Sequence, residues 1–320
     1  MRVLWVHNFN RQKNKNSGTF MYDQLDHLKN QSIEVELFYV NGKSFLEILS
    51  KFISMYKKSR QFDLIHAQYG SFVGFFTSWL PAKKKIVSLR GTDFYGAPKV
   101  SLKTKLHNKL SLFFTFNSLK RYNTIITMSD RMTIELKVSY PAKEIITLTD
   151  GMHLSRFEKY SVKKEQREPF KILFSSINKD NPIKRAHIAL EAIEILKKRN
   201  FNVELIPMIG IDHDKVPEFV SKCDMVLLTS THEGWPNIIK ECLALNIPFV
   251  STDVSDLKAI ADVEDSCFVV EAVPEKIAEA IINVMNIDRI TLRLKKHIEH
   301  MDMNNYVQEL ITIYKSLQAN

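Results

Sequence analysis

The sequence is poor in cysteine and has no long apolar run. Its 320 residues include three cysteines, Cys223, Cys242 and Cys267, and their spacing fits neither a disulfide framework nor a metal site. Idle or buried thiols in a reducing compartment are therefore expected. No stretch reaches the roughly 18 to 20 apolar residues that a membrane-spanning helix needs. The apolar run at the start is interpreted as a strand and not as a signal peptide.

The charge is unevenly divided along the chain. The net charge is +9, and residues 1–160 carry 25 Lys and Arg against 12 Asp and Glu, whereas residues 161–320 carry 20 against 24. A basic half beside an acidic half indicates two surfaces with different partners. Nucleic acid, an anionic membrane surface and an anionic lipid-linked molecule are candidates for the basic half.

Several signatures of other protein classes are missing. The basic residues form no recognisable nucleic-acid-binding module, so no nucleic acid partner is expected. The sequence shows no internal repeat and no low-complexity tract. His232 and Glu233 do not belong to a His-Glu-x-x-His zinc site. We therefore expect neither a metal nor another cofactor.

Strand-like and helix-like segments alternate along the chain. The strand candidates are short apolar runs, and repeated strand–helix–strand units predict doubly wound parallel α/β sheets. The charged segment 157–169 is interpreted as a linker between an N-terminal domain, 1–156, and a C-terminal domain, 170–300. The last helix is expected over about 290–318. Residues 301–320 are a candidate to pack back on the N-terminal domain.

The most informative segment is 230–251. Glu233 and Glu241 lie eight positions apart, and the turn at 234–237 between them, Gly-Trp-Pro-Asn, opens a helix. The strand candidate at 225–229 comes just before. This order places backbone N–H groups of a helix N-terminus at the carboxyl edge of a sheet. A phosphorylated or polyhydroxyl ligand is favoured there.

This segment resembles the signature of the retaining GT-B glycosyltransferases of family 4. The places of that signature are occupied by Glu233, Gly234, Pro236, Glu241 and Pro248. The resemblance implies two Rossmann-like domains that face a central cleft. It also implies transfer of a sugar from a nucleotide diphosphate sugar to a saccharide or lipid-linked saccharide acceptor, without a metal, as in cell-surface polysaccharide assembly.

The resemblance assigns the donor to the second half. Lys184, which opens a helix, would bind the donor diphosphate, with Arg185 beside it. The family usually has an Arg just after the preceding strand, where this chain has Ser-Ser-Ile-Asn at 175–178. Glu233 would approach the hydroxyls of the donor sugar, and Glu241 would bind the ribose. The turn that would surround the sugar and its phosphate consists of Gly234, Trp235, Pro236 and Asn237.

In the first half, Arg90 and Asp93 lie in a loop that resembles the family's His-Gly-x-Asp loop, with Arg90 where His is usual. An arginine cannot act as a general base, but it can clamp a phosphate or an anionic acceptor. The alternative is an ion pair between Arg90 and Asp93. His66 resembles an acceptor-side His, with plain packing as its alternative. The family has a Gly-rich turn near the donor phosphate, and Gly18 is the one glycine of that turn in this chain.

Two other features are ambiguous. The Asp-x-Asp triplet at 212–214 resembles the metal motif of the other glycosyltransferase fold, but it falls where the GT-B pattern expects a loop and is discounted. The segment at about 101–122 interleaves lysine and phenylalanine, which suits either a membrane interface or core packing. We expect a cytoplasmic protein, with peripheral attachment to the inner face of the membrane as a candidate.

The sequence is also compatible with two other functions. A nucleotide-sugar epimerase shares the architecture, but it needs paired carboxylates or histidines for proton chemistry at the sugar. A non-catalytic protein that binds a nucleotide sugar fits the missing Arg, the Arg90 replacement and the reduced turn at Gly18.

Overall fold

A computed structural model describes residues 1–12, 17–29, 31–40, 45–96, 102–160, 168–175 and 181–319. The chain divides into two compact units, one formed by Met1–Met152 with Met303–Asn320 and the other by His153–Asp302. Residues 161–167 of the predicted linker, and residues 176–178 where the family has an Arg, lie outside the described residues. None of the helices in the described ranges has the length and apolarity that a bilayer crossing requires.

The first unit is built on a six-stranded parallel sheet. Its strands are β1 (Arg2–His7), β2 (Glu34–Tyr39), β3 (Leu64–Ala67), β4 (Lys84–Ser88), β5 (Thr124–Thr127) and β6 (Glu144–Thr147). Their order is β2-β1-β3-β4-β5-β6, so the order reverses between β1 and β3. Every residue of β3 and β5 is buried, as expected of inner parallel strands.

Helices connect these strands. They are α1 (Thr19–Leu28), α2 (Phe45–Ser59), α3 (Ser71–Ser78), α4 (Thr92–Tyr95), α5 (Leu102–Leu119) and α6 (Asp130–Ser139). Helix α1 begins after Gly18, whose φ is +69°. A Cβ at this position would lie 2.5 Å from Cβ of Phe9. Both the backbone conformation and the space at the start of α1 therefore require glycine.

The second unit is built on a five-stranded parallel sheet. Its strands are β7 (Phe170–Phe174), β8 (Val203–Pro207), β9 (Met225–Leu228), β10 (Phe249–Ser251) and β11 (Phe268–Val269), in the order β11-β10-β9-β7-β8. Its helices are α7 (Ser155–Glu158), α8 (Ala186–Lys198), α9 (Val216–Val220), α10 (Asn237–Ala244), α11 (Leu257–Ala261) and α12 (Pro274–Met285). Here the order reverses between β7 and β9, which marks the position where such sheets bind ligands.

The end of the chain differs from the predicted single helix over 290–318. Three short 3₁₀ helices, Arg289–Thr291, Leu294–His297 and Glu299–Met301, come first, and the α-helix α13 spans Met303–Ala319. Tertiary contacts hold the earlier residues in turns, since the backbone N–H of Lys295 donates to Oδ1 of Asn246 at 3.1 Å. Such contacts override helix propensity.

Helix α13 belongs to the first unit and is bonded to its core. The hydroxyl of Tyr314 accepts the indole N–H of Trp5 at 2.9 Å and lies 2.6 Å from Nδ1 of His66. Gly151 allows close approach to the same helix, because a Cβ there would lie 2.8 Å from Cβ of Tyr306. The last helix is thus tied to the central strands β1 and β3.

The hydroxyl of Tyr314 provides a test of this tie. We expect Tyr314→Phe to lower the free energy of unfolding by about 1 to 3 kcal/mol, because the buried indole N–H of Trp5 and ring of His66 lose their partner. Urea unfolding followed by circular dichroism measures the change. Tyr56→Phe, whose ring lies 5.3 Å under the guanidinium of Arg60, is the control. Equal stability of Tyr314→Phe and the wild type would contradict the assignment.

Candidate active site

Two loops meet where the strand order of the second sheet reverses. Lys184 and Arg185 follow β7 in the chain and stand directly before α8, while Glu233 follows β9 and stands before α10. The backbone N–H of Thr231 donates to the carbonyl of Ile183 at 2.9 Å and joins the two loops. The N-termini of two helices therefore lie at the carboxyl edge of this sheet. Each carries a partial positive charge.

Lys184 and Glu233 form an ion pair at this edge. Nζ of Lys184 donates to Oε1 of Glu233 at 2.6 Å, and the hydroxyl of Ser230 donates to the same oxygen at 2.7 Å. The two side chains are only 21% and 17% exposed. The structure thus brings together the two residues that the resemblance assigns to adjacent parts of the donor, the diphosphate and the sugar.

Arg185 holds the end of β9 in place. Its Nε donates to the carbonyl of Thr229 at 2.6 Å and its Nη2 to the carbonyl of Ser230 at 2.8 Å. The hydroxyl of Thr229 returns a bond of 2.6 Å to the carbonyl of Lys184. Burial lowers the pKa of Arg185. Since these donors serve the backbone, Arg185 positions the loop of Glu233, and its predicted contact with the donor stays a prediction.

The backbone of Arg185 is strained. Its φ is +45°, in the left-handed region, at the N-cap of α8. A non-glycine residue in this region is strained and persists only where surrounding contacts enforce it. The bonds to Thr229 and Ser230 supply that enforcement. Strain of this kind clusters at binding and catalytic sites.

The turn at 234–237 leads from Glu233 into α10. The carbonyl of Gly234 accepts the hydroxyl of Ser255 at 2.7 Å, and Trp235 is buried. Pro236 is the extended N-cap of α10, and its carbonyl accepts the N–H of Ile239 at 3.1 Å. The turn is therefore fixed, with Asn237 exposed at the first position of the helix. The N–H groups of a first helical turn have no acceptor within their helix.

Glu241 lies on α10 in a different environment. It is half-buried, and burial raises its pKa to about 7, against the nearby charges of Lys240 and Arg156. Arg156 on α7 donates to the carbonyl of His213 at 2.5 Å and lies 3.6 Å from Asp214. Arg156 thus holds the Asp-x-Asp triplet at 212–214, which was discounted above as a metal motif. Sequence reasoning missed this arginine because its partners lie 57 or more residues away.

A cavity of about 370 Å³ opens near the same edge of the second sheet. It lies at the carboxyl ends of β10 and β11, and Arg185 forms part of its wall. Its charged lining residues are Arg185, Asp253, Lys258 and Glu271. The mixture of two cations and two carboxylates gives it no net charge of either sign. The ion pair of Lys184 and Glu233 is likewise neutral, so the two places do not differ in charge balance.

In the first unit, Arg90 is enclosed. Its guanidinium forms an ion pair with Asp150, donates to Oε1 of Gln68 at 2.8 Å and lies 4.5 Å from the ring centre of Phe20. Burial alone lowers the pKa of Arg90, but the ion pair with Asp150 raises it overall. The expected alternative of an ion pair with Asp93 is wrong, since the side-chain partner is Asp150. The side chain is 8% exposed, so it acts as a positioning group in this structure.

Asp93, which was expected in a loop, is a buried carboxylate on the short helix α4. It accepts the backbone N–H groups of Gly70, Arg90 and Gly91 at 2.7 to 3.0 Å. Burial raises its pKa, although these hydrogen bonds oppose the shift. Asp93 therefore holds the loops after β3 and β4 together. Its acceptor-side role stays a prediction.

His66 is fully buried at the centre of the same unit. Its Nε2 lies 2.8 Å from the hydroxyl of Ser88 and its Nδ1 lies 2.6 Å from that of Tyr314. Burial lowers its pKa, helped by the nearby charge of Arg90. The imidazole is thus a neutral part of the core. Of the two interpretations of His66, the structure favours packing over contact with an acceptor.

Within the described residues, no group of three or more His, Cys, Asp or Glu side chains is placed to hold a metal ion. All three cysteines are buried and unpaired with one another. The expectation that catalysis needs no metal stays a prediction.

The family is visible in the sequence of the second unit. Residues 190–286 match the family described as "Glycosyl transferases group 1". This segment contains β9, the Glu233 turn and α10. This segment of the second unit is therefore similar to the group 1 glycosyltransferases. The match confirms, for this segment, the resemblance to the glycosyltransferases of family 4 that the Glu233 turn indicates.

Solved glycosyltransferase structures match over nearly the whole length. Sucrose-phosphate synthase from Thermosynechococcus elongatus has a TM-score of 0.74 at 13% identity, over 100% of this chain and 99% of that chain. The lipopolysaccharide outer core galactosyltransferase WaaB has 0.69 at 12%, over 99% of each chain. HepE from Anabaena, solved with UDP-glucose, has 0.67 at 15%, over 99% and 100%. A search of curated proteins found no match.

At these identities the solved structures establish the fold alone. They confirm the predicted class, an α/β protein with two Rossmann-like units of the GT-B type. The GT-B fold therefore extends through both units, although the family match covers residues 190–286 only.

The raised pKa of Glu241 gives a pH-dependent prediction for stability. Because its folded pKa of about 7 exceeds the ordinary value, the folded chain holds a proton that the unfolded chain releases. Stability from this group is present at low pH and is lost as pH rises through about 7. We expect Glu241→Gln to gain stability relative to wild type between about pH 5 and pH 8. Urea unfolding across that range measures the difference.

The control for this experiment is Glu279→Gln, an exposed position on α12 with the same change of charge. Its stability difference from wild type should stay flat with pH. If the difference in the free energy of unfolding between Glu241→Gln and wild type also stays constant with pH, burial does not destabilise the charged carboxylate of Glu241. That result would contradict the assignment.

Proposed function

We propose that the protein is a retaining glycosyltransferase that moves a sugar from a nucleoside diphosphate sugar to a saccharide or lipid-linked saccharide acceptor. The observation that carries the proposal is the ion pair of Lys184 and Glu233 at the reversal point of the second sheet. The pair supplies a cation for the diphosphate and a carboxylate for the sugar. The two groups are joined by a hydrogen bond.

Electrostatics favour a diphosphate at Lys184. During transfer the leaving diphosphate gains negative charge while the anomeric carbon becomes cationic, so the site must stabilise both. Lys184 stands beside the N-terminus of α8, and Glu233 leads into the N-terminus of α10. Two helix N-termini and one ammonium group together favour an anion more than any of the three alone.

Glu233 changes partner in this proposal. Without donor, its carboxylate neutralises Lys184 at 2.6 Å. When the diphosphate takes over the ammonium group, Glu233 is free to accept hydroxyl groups of the donor sugar, with Ser230 holding the carboxylate in position. The exchange avoids leaving either charge unpaired in a half-buried site, which is costly.

The nucleoside is assigned to Glu241. A carboxylate binds the two ribose hydroxyls well, and its ionisation near neutral pH couples donor binding to pH. HepE, a structural neighbour, was solved with UDP-glucose, so UDP-glucose is the first donor to test. The acceptor is assigned to the first unit, which holds most of the basic residues of the chain. No metal is required in this proposal.

Substitution of the ion pair tests the proposed chemistry. We expect Lys184→Ala to weaken binding of UDP about tenfold or more, because a charge-assisted contact with phosphate is lost. Glu233→Gln should keep or improve UDP binding, since Lys184 is released, while transfer falls by about a hundredfold or more. Calorimetric titration with UDP and release of UDP from UDP-glucose measure the two effects.

Lys222→Ala serves as the matched control, because Lys222 is a surface lysine of the same unit paired with Glu218. It should leave both measurements unchanged. If UDP, GDP and ADP all fail to bind the wild-type protein, the proposal is wrong.

The same assays separate the other functions. An epimerase would change the donor sugar without releasing UDP, and a binding protein would bind UDP-glucose without turnover. Nuclear magnetic resonance of the product tests retention, because the anomeric configuration of the donor must reappear in the new linkage. An inverted linkage would contradict the retaining mechanism.

A further inference from the structure

Three helices of the first unit pack side by side through phenylalanine rings. The rings of Phe52 on α2 and Phe76 on α3 lie 5.7 Å apart, and those of Phe72 on α3 and Phe114 on α5 lie 4.6 Å apart. The contact makes α2, α3 and α5 one continuous layer. Its outer surface is called the helical face below.

The helical face exposes an unusual amount of apolar side chain. Of the thirteen large hydrophobic residues that are exposed in the described part of the chain, seven lie on it. They are Leu46, Leu49 and Ile53 on α2, Trp79 at the end of α3, and Leu106, Leu110 and Phe113 on α5. The spacings of three and four place each set along one side of its helix. Concentrated apolar exposure marks an interaction surface.

The charges of these helices are mostly positive. Helix α5 carries three lysines and no acidic residue, α3 carries no charged residue, and α2 carries three lysines and one glutamate. Next to the face, the guanidinium of Arg121 lies 4.0 Å from the ring centre of Trp79. An apolar stripe flanked by lysines, with a tryptophan at its edge, is the pattern of a helix that lies in the interface of a bilayer.

Only part of the aromatic content of α5 is available for this role. Phe114 packs on Phe72, and Phe116 lies 5.7 Å from Phe94. Both are half-buried, whereas Phe113 and Leu106 are 59% and 70% exposed. The core and the membrane interpretations of this segment therefore apply to different sides of the same helix.

We propose that the helical face docks peripherally on an anionic phospholipid bilayer. The apolar stripes of α2 and α5 and the ring of Trp79 enter the headgroup region, and the lysines bind lipid phosphates. The charge of the face argues for this occupant. Lys51 pairs with Glu47 and Lys58 with Glu36. The exposed Lys57, Lys105 and Lys109 are complementary to an anionic surface. The inference is independent of the proposed donor chemistry, which lies in the second unit.

Trp79 is a natural reporter for the test. Of the three tryptophans, Trp5 and Trp235 are buried and Trp79 is 51% exposed. Vesicles of pure phosphatidylcholine are compared with vesicles in which about a third of the lipid is phosphatidylglycerol. We expect sedimentation with the anionic vesicles and a blue shift of tryptophan emission. Trp79→Phe should remove the blue shift while the protein still sediments.

Two variants separate insertion from charge attraction. Leu106→Ser/Leu110→Ser/Phe113→Ser should weaken binding to the anionic vesicles about tenfold or more, because the inserted stripe is lost. Lys105→Glu/Lys109→Glu should weaken it by a similar factor. The control is Ile134→Ser/Val138→Ser, which removes exposed apolar side chains from α6, outside the helical face.

The outcomes are decisive in both directions. Loss of binding in the two variants, with full binding in the control, supports the proposal. No sedimentation of the wild type with anionic vesicles overturns it. So does sedimentation without a shift in Trp79 emission and without sensitivity to the serine substitutions, because attraction by charge alone needs no docking face. Circular dichroism of each variant verifies that it is folded.

Discussion

The ion pair of Lys184 and Glu233 is the contact on which the site of the second unit depends. A half-buried pair contributes little net stability, because the cost of removing both charges from water offsets their attraction. The surrounding structure nevertheless holds it tightly. Arg185 adopts a strained backbone and binds two carbonyls of the Glu233 loop, and Ser230 fixes the carboxylate. A strained backbone held by hydrogen bonds is typical of a site where a ligand binds.

The first unit uses polar groups differently. The buried ion pair of Arg90 and Asp150 joins the segments that follow β4 and β6, and the hydrogen bond of Trp5 to Tyr314 joins β1 to the last helix. Here the charges and hydroxyls are satisfied within the protein. The helical face, on the outer side of the same unit, exposes apolar side chains and lysines. Under these proposals, the chemistry of the sugar donor takes place in the second unit, and the first unit attaches the protein to a membrane.

Local patterns predicted much of the fold and the position of the candidate donor-binding residues, whose roles came from the family resemblance. Short apolar runs predicted the inner strands, and Glu233 and Lys184 could be placed because each follows such a run and opens a helix. Long-range partners could not be predicted. Asp150 lies 60 residues from Arg90, and Tyr314 lies 309 residues from Trp5. No local pattern encodes such pairs, and the turns before α13 are likewise set by contacts with distant residues.

A crystal structure of the protein with UDP bound would decide whether Lys184 binds the diphosphate. We expect the β-phosphate to lie about 3 Å from Nζ of Lys184, at the start of α8 and α10, with the pair to Glu233 opened. Density for the diphosphate in the cavity lined by Lys258 and Glu271, with the pair of Lys184 and Glu233 unchanged, would contradict it.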